Sequence, residues 1–189
     1  MRMKFKKLLA SVLLLSLWGG GMIFADTVIN KIKVTFNGSA LNDSAIVVDG
    51  TTYVPLRQVA NQFGAFVTWG DNKQVNINKP NVHLRIIDVK SKSPFQAVPK
   101  SSKEITFIVT AEVDNLSTPI SSIKIVVLDP SGAEQQIYQE DVQLDNAFYL
   151  ATPEINYKLK QEGEYKLSMY MKPEKSSEWT LVSEKMIIK

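Results

Sequence analysis

The pattern of apolar and polar residues is densest between Ile46 and Ala65, where it predicts a compact series of secondary-structure elements. Two β-prone runs flank Asp49-Gly50, and this pair favours a tight hairpin turn because glycine accepts a positive φ. Pro55 follows, and proline suits the first helical position because its missing N–H would have no partner there. The stretch therefore predicts a strand, a turn, a second strand and the start of a helix.

The helix is predicted from four apolar residues at the spacing of one helical face. They are Leu56, Val59, Ala60 and Phe63. Gly64 comes next, and helices commonly end at a glycine in the left-handed conformation. We therefore expect a two-turn helix that ends at Gly64.

Alternating strands are predicted on both sides of this unit. Residues 28–41 alternate and contain a turn at Asn37-Gly38, and a final hairpin covers residues 65–77. In that hairpin Val67 and Trp69 share one face, which we interpret as the core face. The element order predicts a small antiparallel sheet wrapped on one short helix, an α+β fold.

These residues resemble the copper amine oxidase N-terminal-like domain, also called the stalk domain. The resemblance spans about residues 28–82 and rests on three segments, residues 46–57, 63–69 and 75–77. This sequence departs from the family pattern at Phe63, where leucine is common, and at Gly70, which separates the Trp from the Asp that usually follows it. The resemblance implies an exported bacterial surface protein fused to varied partners, and it does not imply copper.

A change of composition predicts a domain boundary after this module. Residues 90–103 are small, polar and lysine-rich, contain no acidic residue, and include Pro94 and Pro99. We therefore predict a stalk-type domain over residues 26–89, a linker over residues 90–103 and a second domain over residues 104–189.

The second domain is predicted to be all β. Its first strand alternates at Ile105, Phe107, Val109, Ala111 and Val113. A turn with proline at its first central position follows at residues 129–132. Six or seven short strands with regular turn signals predict a β-sandwich.

One local motif favours an immunoglobulin-like sandwich. Gly163 and Tyr165 resemble the tyrosine corner, in which a tyrosine at the start of a late strand hydrogen-bonds back across the preceding turn. Leu167 stands where antibody domains have the second disulfide cysteine, and an apolar residue fits there because the position points into the core.

The first 25 residues predict a secretory signal peptide. Four basic residues precede an apolar run from Leu8 to Trp18, and Ala25-Asp26 offers a cleavage site. The alternative is an uncleaved membrane anchor, which would be the chain's one membrane contact. The full chain has a net charge of +3, but without the signal it has 18 basic and 19 acidic residues, a net charge of −1. A nucleic-acid partner therefore lacks electrostatic support.

The sequence shows no catalytic or metal-binding constellation, so we predict no catalytic, cofactor-binding or metal site. His83 is the single histidine and there is no cysteine, which leaves too few ligands for an imidazole copper site and rules out most Ser-His and Cys-His schemes. Glu140-Asp141 and the Glu162/Glu164 pair are interpreted as solvated surface charges. The absence of cysteine also excludes disulfide bonds and a lipid anchor.

Aromatic side chains are the better candidates for binding, because they can stack on sugar rings or anchor a partner. The candidates are Trp69, Trp179, Tyr53, Tyr138, Tyr149 and Tyr170. Trp69 and Tyr53 are interpreted as packing residues, and Tyr170 as an outward-facing one. Arg57 opens the helix, where the dipole disfavours a cation, so we expect it to reach a nearby carboxylate or carbonyl.

The expected function is recognition rather than turnover. We predict an exported, non-enzymatic bacterial protein, secreted or at the cell surface, that binds or spaces cell-wall polymer, polysaccharide or another secreted protein, in part through exposed sheet edges. One alternative is a secreted protease inhibitor that inserts a loop, either residues 117–119 or Thr152-Pro153. The other is an accessory subunit of an extracellular enzyme.

Overall fold

A computed structural model describes residues 30–41, 45–176 and 178–189 of the chain. The predicted signal peptide, residues 1–25, lies outside the described residues. Within those ranges no helix is both long enough and apolar enough to cross a lipid bilayer.

The first module is an α+β unit, as the sequence predicts. Its elements are β1 (Asn30–Ile32), β2 (Thr35–Phe36), β3 (Ser39–Ala40), β4 (Ala45–Val48), β5 (Thr51–Tyr53), α1 (Leu56–Gln62), β6 (Phe66–Trp69) and β7 (Val75–Asn78). The strands form three small antiparallel sheets, β1-β4-β5, β2-β3 and β6-β7.

Local sequence chemistry sets the ends of these elements. Asp49 and Gly50 have φ values of 49° and 74°, so the hairpin between β4 and β5 has the two positive φ angles of a type I′ turn. Helix α1 begins one residue later than expected, because Pro55 is its N-cap and its carbonyl accepts the Val59 N–H at 3.1 Å.

The C-terminus of α1 forms a Schellman motif at Gly64, which has a φ of 68°. The Ala65 N–H donates to the Ala60 carbonyl at 2.9 Å, and the Gly64 N–H donates to the Asn61 carbonyl at 3.1 Å. These two bonds satisfy carbonyls that the helix would otherwise leave without partners. The predicted helix stop at Gly64 is confirmed.

The second module is a β-sandwich of two antiparallel sheets. Its strands are β8 (Asn81–Asp88), β9 (Glu104–Asp114), β10 (Ile120–Leu128), β11 (Glu134–Leu144), β12 (Phe148–Ala151), β13 (Ile155–Lys158), β14 (Glu164–Pro173) and β15 (Thr180–Ile188). One sheet has the order β11-β10-β14-β15, and in the other β9 pairs with β8 on one side and with β12 and β13 on the other.

The main hydrophobic core lies between these two sheets. Strand β9 places alternate residues from Phe107 to Val113 inward, and β14 does so from Tyr165 to Met171. Strand β10 supplies Ile123, Ile125 and Val127, all essentially inaccessible to solvent. This alternation, with apolar residues facing inward, gives the pattern of two packed sheets that the sequence predicts.

The change of module lies earlier in the chain than composition indicates. Strand β8, at residues 81–88, pairs along its length with β9 and contributes Leu84 and Ile86 to the sandwich core. Residues 90–103 therefore connect two paired strands. Phe95 and Val98 pack this segment against the sandwich core, which explains why it does not separate two domains.

The predicted tyrosine corner is confirmed at the start of β14. The Tyr165 hydroxyl donates to the Gln161 carbonyl at 2.8 Å and accepts from the Gln161 N–H at 3.1 Å. Its ring is buried and meets the Tyr157 ring edge-on. Leu167 is fully buried at the position where antibody domains have a cysteine.

The Tyr165→Phe variant is expected to lower the free energy of unfolding by about 1–2 kcal/mol, because both bonds to Gln161 are lost while the ring remains. Urea denaturation measures this loss. Tyr157→Phe is the matched control, since the Tyr157 hydroxyl has no hydrogen-bond partner in the described part of the chain. Equal losses in the two variants would mean that the corner bonds do not stabilise the fold.

The first module packs directly on the second. Phe66, at the start of β6, is 1% exposed and belongs to the same apolar cluster as the sandwich core. Gly64 lies against β15, where a Cβ on Gly64 would be 3.1 Å from the Leu181 carbonyl oxygen and 3.2 Å from that of Val182. The two modules therefore share one core and a close backbone contact.

Candidate binding cleft

Trp69 is the most exposed tryptophan that the structure describes, which corrects its interpretation as a core residue. Its exposed fraction is 68%, whereas Phe66 on the opposite face of β6 is buried. The alternation along β6 agrees with the prediction, but the core face is the one that carries Phe66, not the one that carries Val67 and Trp69. The buried face is the one that the sandwich covers.

The apolar face predicted for α1 is also largely exposed. Leu56 and Phe63 are 40% and 52% exposed, and Ala60 is the buried residue of the helix. Tyr53 is exposed as well, so it is not the packing residue expected from the sequence. Phe63 makes an edge-on ring contact with Phe36. The helix thus packs through its small residue, close to the Gly64 contact.

Trp69 lies in a cleft of about 510 Å³ between the two modules, which we call the Trp69 cleft. One wall comes from the first module and the other from two loops of the sandwich. The cleft is lined by Arg57, Val67, Thr68, Trp69, Ser117, Thr118, Pro119 and residues 173–176. Its volume is in the range of small-ligand sites, and its lining combines one large aromatic face with hydroxyl and charged groups.

Arg57 connects the two walls of this cleft. Its guanidinium Nη1 lies 3.2 Å from Oε2 of Glu178, in the loop between β14 and β15. The expectation that Arg57 reaches a carboxylate is therefore confirmed, and the partner belongs to the other module. Both side chains are substantially exposed, so the pair orients the cleft more than it stabilises the fold.

The two loops considered for protease inhibition lie against the body of the protein. Thr118 is nearly buried, and its loop forms part of the cleft wall. Thr152 is buried, and its Oγ1 accepts the Val109 N–H at 3.0 Å and donates to the Pro153 carbonyl at 2.9 Å. Neither loop has the projecting form that an inhibitory insert needs.

A second groove, of about 450 Å³, lies at the C-terminal end of α1, and we call it the Trp179 groove. It is lined by residues 61–64 at the end of α1, Lys79, Tyr170, Trp179 and residues 181–184 of β15. Burial raises the pKa of Tyr170, and the negative charges of Glu134 and Glu184 raise it further.

The remaining candidate aromatics are not brought together. Tyr149 is 63% exposed on β12, in the other sheet. Tyr138 donates to Glu140 within β11, and burial together with that bond raises the pKa of Tyr138 to about 12. Sequence reasoning did not identify Lys124, which lies close to both Tyr170 and Trp179. Its only sequence signal was its position as a charged residue within a buried strand.

Three of the four acidic candidates, Glu140, Asp141 and Glu162, have side-chain partners. Glu162 pairs with Lys100 at 2.8 Å, which lowers the pKa of the carboxyl, and Asp141 accepts the Ser122 hydroxyl at 2.8 Å. His83 is exposed on β8. Across residues 30–41, 45–176 and 178–189, no three His, Cys, Asp or Glu side chains are grouped as metal ligands.

Comparison with known proteins identifies the first module. The sequence model of the copper amine oxidase N-terminal domain matches residues 28–122, half of the chain and well beyond residue 82, where the sequence resemblance ends. This is a non-catalytic type of domain. Comparison with curated proteins gives no match.

Among solved structures, the chain is similar to the CARDB domain of the PF1109 protein from Pyrococcus furiosus, crystallised in complex with di-metal ions. The sequence identity is 13%, the similarity covers 60% of this chain and 96% of that chain, and the TM-score is 0.34.

Proposed function

The chain belongs to the copper amine oxidase N-terminal domain family, and on that premise we propose that it is an exported, non-enzymatic binding protein of the bacterial cell envelope. Its ligand is a polysaccharide, including the glycan of the cell wall, held in the Trp69 cleft. The observation that carries this proposal is the 68% exposed Trp69 in a cleft between two modules that share a core.

The chemistry of the cleft suits a sugar ring. Such a ring has an apolar face of C–H groups, which is attracted to the electron-rich face of an indole, and a rim of hydroxyl groups. Thr68, Ser117 and Ser176 place hydroxyl groups around Trp69, while Arg57 and Glu174 supply charged hydrogen-bonding groups. A large exposed tryptophan with polar neighbours is also the residue type that dominates binding energy at interfaces.

The docking of the modules supports binding without large rearrangement. The cleft walls are held by the Phe66 contact, the Gly64 contact and the Arg57–Glu178 pair. A site that is already assembled loses less conformational entropy when its ligand binds. The predicted signal at residues 1–25 supports the proposed export, and the binding role is assigned to the part of the chain after it.

The Trp69→Ala variant is expected to weaken binding of soluble cell-wall glycan fragments by about tenfold or more, because a stacking aromatic is removed from the centre of the site. Isothermal titration with the chain beginning at Asp26 measures the change. Tyr149→Ala removes an equally exposed aromatic from the other sheet and should bind like the wild type.

Melting temperatures of both variants should stay close to that of the wild type, because both side chains are mostly exposed. Unchanged glycan binding by the Trp69→Ala protein would exclude the Trp69 cleft as the site. If the wild-type protein binds a secreted protein and no glycan, the proposed ligand would be a protein and not a polysaccharide.

A further inference from the structure

Two lysine side chains converge on Trp179. The Lys124 Nζ lies 4.8 Å from the centre of the Trp179 ring and 5.0 Å from the centre of the Tyr170 ring. The Lys172 Nζ lies 5.4 Å from the centre of the same Trp179 ring. Strands β10 and β14 are neighbours in the sheet and present both lysines on its outer face, where Lys124 is opposite Tyr170.

These two ammonium groups lack a carboxylate partner in the described part of the chain. The ion pairs there involve other cations: Arg57, Arg85, Lys100 and Lys166. Glu184, which lines the groove, is 3.7 Å from Lys166 and accepts the Ser168 hydroxyl at 3.3 Å. Glu178, the residue before Trp179, is bound by Arg57.

The ring contacts compensate the two lysines only weakly. A cation over an exposed aromatic ring gains about 0.5–1 kcal/mol, much less than a well-formed charge-assisted hydrogen bond. Two like charges near one ring also repel each other, and Lys79 adds a third cation to the lining of the groove. An anion bound beside the Trp179 ring would offset this repulsion and accept a charge-assisted hydrogen bond from the lysine that it reaches.

We propose that the Trp179 groove, together with the Lys124 and Lys172 ammonium groups that contact its aromatic lining, is a second binding site, which takes a phosphate or carboxylate group carried by a polymer. The two lysines bind the anionic group, and the partly buried rings of Trp179 and Tyr170 contact the adjoining apolar part of the repeat unit. The site is separate from the Trp69 cleft, because the cleft and the groove share no lining residue.

Combined with the proposed function, the groove allows one further inference about the charge of the polysaccharide. Arg57 lines the Trp69 cleft, and its partner Glu178 directly precedes Trp179. A single chain crossing this ion pair could therefore contact both sites, so the polysaccharide of the Trp69 cleft is inferred to carry negative charges. This step rests on the proposed function, whereas anion binding in the groove does not.

The sequence offers a selective reporter for the test. Trp18 lies in the predicted signal, so Trp69 and Trp179 are the only tryptophans in the chain that begins at Asp26. The Trp69→Phe variant of that chain leaves Trp179 as the sole fluorophore. Its emission is titrated with poly(glycerol phosphate), with polygalacturonate and with dextran as the neutral control.

We expect at least one anionic polymer to change the Trp179 emission and dextran to leave it unchanged. Saturation with poly(glycerol phosphate) alone assigns the site to phosphate, saturation with polygalacturonate alone assigns it to carboxylate, and both results support the site. Affinity should fall as NaCl rises from 0.05 to 0.5 M, because salt screens exposed charges at about 4–14 Å. Equal responses to dextran and to the anionic polymers would overturn the proposal.

The Lys124→Met/Lys172→Met double variant is expected to bind the anionic polymer at least about tenfold more weakly, since charge-assisted hydrogen bonds are lost. Lys158→Met is the matched control, because Lys158 is exposed on β13 in the other sheet and forms no ion pair in the described ranges. Unchanged affinity in a folded double variant would overturn the proposal, even if its melting temperature fell, because the lysines would then be structural only.

If the double variant does not fold, the comparison of polymers and the salt dependence of the Trp69→Phe protein still decide the question. Failure of the two proposals can be told apart. If Trp69→Ala loses glycan binding and no anion changes the Trp179 emission, the Trp69 cleft is supported as a site and the Trp179 groove is excluded. If Trp69→Ala binds glycan like the wild type and an anionic polymer changes the Trp179 emission, the groove is supported and the cleft is excluded.

Discussion

Replacement of Phe66 by alanine is expected to lower the free energy of unfolding by about 3–5 kcal/mol, the usual cost of removing a buried phenylalanine. Phe66 is 1% exposed and lies in the cluster that contains the core of the sandwich. The cavity would therefore open where the two modules meet. Urea denaturation followed by far-UV circular dichroism measures the loss.

The variant should also change the shape of the unfolding transition. A chain whose modules share one core is expected to unfold in a single step, whereas weakened docking lets the first module unfold before the sandwich. Phe36→Ala is the control, because Phe36 is only half-buried and contacts Phe63 within the first module. A loss below about 1 kcal/mol for Phe66→Ala would contradict the shared core.

Replacement of Gly64 by alanine is expected to cost about 2–3 kcal/mol. The φ of 68° costs an L-residue about 1–2 kcal/mol, and the added Cβ would lie 3.1 Å from the Leu181 carbonyl oxygen, crowding that costs about 1 kcal/mol more. The backbone of β15 would have to move, because a carbonyl group cannot rotate away as a side chain can. Thermal denaturation with fitted enthalpies measures the effect.

Two other glycines separate these contributions. Gly50 has a φ of 74° with no atom within 4 Å of an added Cβ, so Gly50→Ala reports the backbone strain alone. Gly70 is not in the left-handed region and would meet its nearest atom at 3.6 Å, so Gly70→Ala should be nearly neutral. Equal losses at Gly64 and Gly50 would show that the contact with β15 adds nothing.

The parts of the fold that sequence predicts correctly depend on local chemistry. The hairpin at Asp49-Gly50, the helix stop at Gly64 and the corner at Tyr165 each involve residues within a few positions of one another. Their φ requirements and hydrogen bonds can be read from a short segment, because the preferred conformation is already encoded there.

The parts that sequence does not predict depend on long-range packing. Alternation along β6 gives two faces, but only the position of the sandwich decides that Phe66 is buried and Trp69 exposed. The sequence also does not show that β8 belongs to the sandwich, because its partner β9 begins only after residues 90–103. The Lys124–Trp179 contact joins residues that are 55 positions apart, so no local sequence pattern predicts the Trp179 groove.

The contact between Gly64 and β15 also has a consequence for the timing of folding. The first module docks on Leu181 and Val182, which are synthesised more than 100 residues after Gly64. Domains usually fold in the order in which they are synthesised, but here the first module cannot complete its packing until β15 has been synthesised. In the exported protein proposed above, the two modules would therefore reach their docked form only after β15 had crossed the membrane.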